Sequence, residues 1–230
     1  MYCHFSIAPD VFYCKADGRI VFLDLNNERY FQLNELQTSW FERLMADGSE
    51  DTSAPEWRLA KRLEDMSLLT EASEQTLPPA GFRRHTVSTS LLDYPHKQQV
   101  RSSLADLPPI GWTAALTIAA LRFSGLRAVL KHHSRKKSDS GDPGPVPAAV
   151  GRSLAARFIA WSPALFTSHD ACLFRSLALA RYLLANRFPT DIVIGVRSQP
   201  FRAHCWVQAG EMVLNEHLEI ARDYCPVLVS

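Results

Sequence analysis

A chain of 230 residues, 47% hydrophobic and with a formal net charge of +1, is long enough for one large domain or two small ones with a real core, which excludes a disordered or fibrous protein. Cys3, Cys14, Cys172, Cys205 and Cys225 are odd in number and lack CxxC spacing, and no apolar stretch follows a charged start, so a reduced, cytoplasmic protein is expected. Residues 1–74 carry 7 Lys/Arg against 14 Asp/Glu, and residues 75–230 carry 18 against 10. The acidic front opposes phosphate binding, and no nucleic-acid partner is expected.

Val11 to Cys14, Arg19 to Leu25 and Arg29 to Leu33 are rich in β-branched and aromatic residues and are separated by Ala16-Asp17-Gly18 and Asn26-Asn27, which predicts a three-stranded meander. Asn34 with Gln37 offers a capping box for a helix carrying Leu36, Trp40, Phe41, Leu44 and Met45, and Gly48 ends it. A second helix starts at Pro55 and presents Leu59, Leu63 and Met66 along one stripe, closing a first unit near Ala72. The prolines of residues 73–110 predict an extended connector. Trp112 to Leu130 is apolar, but Arg122 and Arg127 interrupt it, so a buried or half-buried helix is favoured over a membrane span. The basic run Lys131 to Lys137 follows, then a Ser/Gly/Asp/Pro-rich loop, then a helix over Ala148 to Trp161.

The chemistry lies in the last third. Cys172 precedes Leu173, Leu177, Ala180 and Leu184 at helical spacing, which puts it in the first turn of a buried helix with Asp170 as its N-cap. Unpaired N–H groups and the helix dipole favour a thiolate there. A lone cysteine is more often a small buried hydrophobe, so a base is needed. His204 opens a strand-like stretch preceded by another at Asp191 to Val196, and an imidazole there can take the thiol proton. If Ala209-Gly210-Glu211 is a three-residue hairpin loop, Gln208 pairs with Met212 and His204 lies opposite Glu216, whereas a two-residue loop turns Glu216 away. Asp170, Asp191 and Asp223 are less well placed acceptors, and Asn215 is the nearest amide. His169 and His217 read as surface or capping residues, and Cys205 as a buried structural thiol. No HExxH or paired CxxC suggests a metal.

The strings from Cys172 to Leu179, from Val193 to Val207 and from Val213 to Glu216 resemble the leader peptidases of lasso-peptide biosynthesis, which look like transglutaminase-fold cysteine proteases. The family's Cys, His and Asp fall on Cys172, His204 and Glu216, the last a departure by one methylene. The fused type of this family joins a PqqD-like precursor-recognition domain to the peptidase. The resemblance therefore implies an α+β protein: a small winged-helix-like PqqD-type domain at 1–75, a connector at 76–110, and a transglutaminase-like, papain-like cysteine protease domain at 111–230. It further implies that a leader peptide adds to the edge of the third strand, at Glu28, Arg29, Tyr30, Phe31, Gln32 and Leu33, beside Leu59, Lys61 and Leu63 on the second helix, although these side chains equally fit a core.

The expected reaction is cleavage of the leader from the core of a lasso precursor peptide before macrolactam formation. An asparagine-synthetase-like lasso cyclase is the expected partner. ATP is expected only through that cyclase, since this chain has no GxxxxGK[ST] loop, and cleavage itself takes no cofactor. Three rivals are an acyl-transferase of the transglutaminase type, a DNA-binding regulator, and a non-catalytic precursor-binding scaffold. The basic run Lys131 to Lys137 leaves contact with the cyclase or with a membrane surface open.

Overall fold

The computed structural model describes residues 4–48, 51–72, 86–93, 103–139, 148–165 and 172–230. The chain divides into two compact units, Met1–His85 with Val196–Arg202, and Thr86–Gly195 with Ala203–Ser230.

The first unit runs β1 (His4–Ile7), β2 (Val11–Ala16), β3 (Arg19–Asp24), β4 (Arg29–Gln32), α1 (Glu35–Asp47), α2 (Pro55–Asp65) and β5 (Leu69–Ala72). β2, β3 and β4 form the antiparallel meander that the sequence predicts. Asp17 and Gly18 both adopt positive φ, 48° and 80°, as a two-residue I′ hairpin loop requires. The β3–β4 connection is held by the buried Asp24 carboxylate, which accepts from the backbone N–H groups of Asn26 and Asn27, the Asn27 amide and Arg29 Nε. Burial pushes this carboxyl up, but the four donors outweigh it and hold it below the usual range. The α1 capping box is present, with Asn34 Oδ1 accepting from Gln37 N–H at 2.8 Å and Gln37 Oε1 from Asn34 N–H at 3.1 Å. Phe22, Leu33, Phe41, Leu44, Leu59 and Leu63 meet in one core, with the Phe22 and Phe41 rings edge to face at 5.3 Å. A second, two-stranded sheet of β1 and β5 was not foreseen, because its strands pair residues more than 60 positions apart.

The second unit contains β6 (Thr89–Ser90), a 3₁₀ turn at Leu104–Asp106, α3 (Leu107–Asp139), α4 (Ala148–Leu165), α5 (Cys172–Ala185), β7 (Asp191–Ser198), β8 (Phe201–Ala209), β9 (Met212–Val213), α6 (Leu218–Arg222) and β10 (Cys225–Val229). Its five-stranded sheet has the order β10-β7-β8-β9-β6. The tip of the β7–β8 hairpin falls within the first unit. α5 is the central helix, burying Ser176 to Ala180, Tyr182 and Leu183, and α3 and α4 both pack on it. Part of the stretch expected as an extended connector is built into this sheet: β6 runs parallel to β9, with Thr89 beside Met212 and Ser90 beside Val213.

Candidate active site

Cys172, His204 and Glu216 converge within the second unit. Cys172 is the first residue of α5, His204 lies on β8, and Glu216 lies in the bend between β9 and α6. His204 Nε2 is 2.7 Å from Glu216 Oε2, and the imidazole also hydrogen-bonds the Cys172 thiol, for which Nδ1 is left. Glu216 is 8% exposed. Asp170, expected as the N-cap, and His169 lie outside the described residues. Asp191 pairs with Lys137, and Asp223 caps the end of α6.

The hairpin register differs from the one expected. Gln208 pairs with Val213 and Ala209 with Met212, so the loop is the two residues Gly210 and Glu211, with Gly210 at φ 57° where a II′ turn needs glycine. A regular continuation would set Glu216 opposite Cys205, facing away from His204. The chain instead leaves the ladder after β9. Leu214 N–H still donates to the Val207 carbonyl at 2.9 Å, but Val207 N–H donates to the Asn215 side-chain oxygen at 2.8 Å. The Asn215 side chain thus replaces a backbone acceptor, and the freed backbone swings Glu216 back to His204. Asn215 Nδ2 donates to Ser176 Oγ, which donates to the Cys205 carbonyl, both at 2.8 Å. Asn215 is therefore a buried fastener between helix, strand and bend, and its hydrogen bonds go elsewhere than to His204.

Burial opposes charge on all three groups, and their mutual contacts overcome it. Burial raises the Cys172 thiol, but the hydrogen bond and charge of His204, with the Cys205 and Leu173 N–H groups, hold it below the ordinary thiol range. Burial lowers the imidazole, yet Cys172 and Glu216 together raise it to about 9. Glu216 is pushed up by burial and held below the usual carboxylate range by His204, by the His217 N–H at 2.9 Å and by the charge of Arg175. The arrangement favours a thiolate, an imidazolium and a carboxylate in series. The buried Cys205 thiol is the contrast: burial, then the charge of Cys172, pushes it well up, as befits a structural thiol.

Two supports lie far away in sequence. Ser90 Oγ donates to the Glu216 carbonyl at 2.6 Å and accepts from Leu92 N–H at 3.0 Å. Asp93 accepts from the His217 ring at 2.8 Å and from Leu218 N–H at 3.2 Å. Nothing in the local sequence marks Ser90, since it acts across 126 residues. Ser90→Ala is expected to cost about 1–3 kcal/mol, the penalty of an unmade buried hydrogen bond. Chemical denaturation checks the loss.

The His204 ring also lies against Tyr224 at 5.3 Å and Trp206 at 6.3 Å. Gly195 makes room for both: a Cβ there would sit 2.7 Å from Trp206 Cζ3 and 2.8 Å from Tyr224 Cβ. Gly195→Ala is expected to destabilise the chain by about 1–3 kcal/mol through overpacking. It also displaces the rings beside His204, so an NMR titration of His204 shifts along with the urea midpoint.

The residues expected to bind a peptide are divided between surface and core of the first unit. Glu28, at φ 49°, and Arg29 are exposed at the start of β4, while Tyr30, Phe31 and Gln32 are half-buried along it. β4 is an edge of its three-stranded sheet. Arg29 is tied to Asp24 and, at 2.8 Å, to the Met66 carbonyl. The Tyr30 ring packs on Phe201 at 5.3 Å. Leu33, Leu59 and Leu63 sit inside the core, so their side chains line no groove: the apolar stripe of α2 is used up in holding the helix to the sheet. Lys61 stays at the surface and pairs with Glu64 and Glu71. Among the described residues no group of three or more His, Cys, Asp or Glu side chains is placed to hold a metal ion.

Over 45 residues the chain is 47% identical to the microcin J25-processing protein McjB of Escherichia coli, a match spanning 20% of this chain and 22% of that protein. No solved structure matches. Residues 113–229, just over half of the chain and including Cys172, His204 and Glu216, match the model of the transglutaminase-like superfamily. The chain belongs to the transglutaminase-like superfamily.

Proposed function

We propose that this chain is a cysteine endopeptidase that removes the leader from a lasso-peptide precursor. The observation that carries the proposal is the hydrogen-bonded series Cys172, His204 and Glu216 at the start of a buried helix, in a chain that shares a segment with a microcin J25-processing protein. The Cys172 thiolate attacks the carbonyl carbon of the leader–core bond. The charged His204 gives its proton to the departing core amine, leaving the leader as a thioester on sulfur. His204, now neutral, takes a proton from water, whose oxygen replaces sulfur and frees the leader carboxylate. Glu216 fixes the ring and balances its charge throughout. The Cys172 backbone N–H is the donor available to the developing oxyanion. No cofactor enters these steps.

The first 75 residues act as a PqqD-like recognition domain. The leader adds as a strand along β4, at Glu28 to Gln32. The core amine then passes to an asparagine-synthetase-like cyclase, whose ATP-driven step closes the ring, and the work takes place in the cytoplasm. Superfamily membership keeps acyl transfer as a second reading, in which an amine replaces water on the same thioester. The test is to incubate the full chain with a lasso precursor peptide and weigh the products. Separate leader acid and core amine support hydrolysis. An amine adduct of the leader establishes transfer, and intact precursor overturns both.

A further inference from the structure

α3 carries its apolar face outward. The side chains that it buries before its break are Ile110, Thr113, Ala114 and Thr117, at i, i+3, i+4 and i+7. Two are threonines, whose hydroxyls donate to carbonyls one turn back, Pro109 and Thr113, both at 2.8 Å. Other large side chains lie on another face: Trp112, Leu116 and Phe123 recur at i, i+4 and i+11, with Trp112 67% and Phe123 84% exposed and Leu116 half-buried. A surface helix of an ordinary globular domain has the reverse pattern.

The charge on the helices around this face is predominantly positive, although Lys137 pairs with Asp191 and Arg157 with Asp106. α3 carries six Lys/Arg, α4 two and α5 two, and the only Asp or Glu in these three helices is Asp139, the last residue of α3. The cations are gathered: burial, then the charges of Lys136, Arg135 and Arg181, hold His132 below its ordinary value. Trp112, Leu116 and Leu184 share with Lys136 and Arg181 the lining of a cavity of about 810 Å³ between α3 and α5, an apolar slot with cations at its wall.

By length and composition one stretch of α3 would pass as a membrane span, with 17% of it buried. Gly125, at φ 75° and ψ 168°, breaks the helix, and Arg122 and Arg127 flank the break, so the stretch is unsuited to crossing a bilayer. We propose that this face of the second unit docks on the anionic surface of a lipid bilayer. The first half of α3 lies in the interface plane with Trp112 and Phe123 at the boundary of headgroups and acyl chains, and the basic side chains engage lipid phosphates. A helix apolar enough in composition to pass as a membrane span yet only 17% buried, with basic side chains beside its exposed aromatics, favours lipid over an acidic protein.

The full chain is sedimented with vesicles of phosphatidylcholine and of phosphatidylcholine mixed with phosphatidylglycerol, beside Trp112→Ser/Phe123→Ser and Arg122→Ala/Arg135→Ala variants. Binding is expected to the anionic vesicles alone and to weaken with salt. The arginine pair is expected to lower partitioning about 25-fold, from about fivefold for each basic residue near an anionic surface. The aromatic pair is expected to abolish it. All four side chains are exposed, so circular dichroism and thermal unfolding stay as in the wild type. Absence of vesicle binding, equal binding to both vesicles, or binding that survives both variants overturns the proposal. So does salt-sensitive binding to polyglutamate without binding to vesicles, which would assign the face to an acidic protein.

Discussion

Cys172→Ala is expected to stop precursor cleavage, with a loss on the order of 10⁶ in kcat, the size seen when a hydrolase loses its nucleophile. The fold tolerates the change, because the side chain opens α5 at a half-buried position and alanine is a good helix former. A second readout separates this result from simple misfolding. His204 is raised to about 9 by Cys172 and Glu216 against the downward pull of burial. Without the thiolate, one of the two supports is gone and burial acts as before, so the imidazole titrates below about 9 when followed by NMR. The wild-type pH profile follows from the same pair. Activity rises as Cys172 and Glu216 ionise and falls as His204 loses its proton near 9. Cleavage by the alanine variant, or an unmoved His204 titration, would remove the thiolate–imidazolium pair from the account.

Glu216→Gln is the second large effect, expected to cost on the order of 10⁴ in kcat, as when the triad acid of a serine protease is neutralised. The amide keeps the shape of the side chain but removes the charge that faces His204 Nε2 at 2.7 Å. Glu216→Asp tests the geometry instead of the charge. Shortening the side chain withdraws the carboxylate by about 1 Å, which is expected to cost up to about 10²-fold. The order wild type, Asp, Gln is therefore expected in kcat, and a glutamine variant at the wild-type rate would sink the triad.

The acid also enters stability, and its sign is fixed by the direction of its shift. Glu216 is lowered from 4.5, so its contribution is present above that pH and lost as pH falls through the folded value. His204 is raised from 6.5 to about 9, so its contribution is fully present below 6.5 and lost as pH rises through about 9. Denaturant midpoints measured against pH are expected to fall at both ends, and glutamine at position 216 removes the acid limb that Glu216 supplies.

Much of the fold was legible where the signals are local. The Asn34 and Gln37 capping box, the Asp17-Gly18 turn, Pro55 at the start of α2 and the apolar stripe behind Cys172 each act within a few residues, and the structure has the corresponding elements. The acid was legible for an incomplete reason. The nomination of Glu216 depended on a three-residue loop, but the loop has two residues, and Glu216 reaches His204 because Asn215 interrupts the ladder, which no alternation pattern encodes. The stripe of Leu59 and Leu63 marks an apolar face without saying what covers it, and the structure covers it with the core of the first unit.

The sequence by itself determined the chemical types on offer and the local elements that hold them: a thiol at a helix start, an imidazole on a strand, and carboxylates near by. The tertiary structure alone decided which carboxylate meets the imidazole, that Ser90 and Gly195 support it, that Leu33, Leu59 and Leu63 are core, and that α3 turns Trp112 and Phe123 outward. The physical reason is common to all of these. Capping, turns and periodicity are set by neighbours along the chain, whereas burial and hydrogen-bond partnership are set by residues that only folding brings within reach.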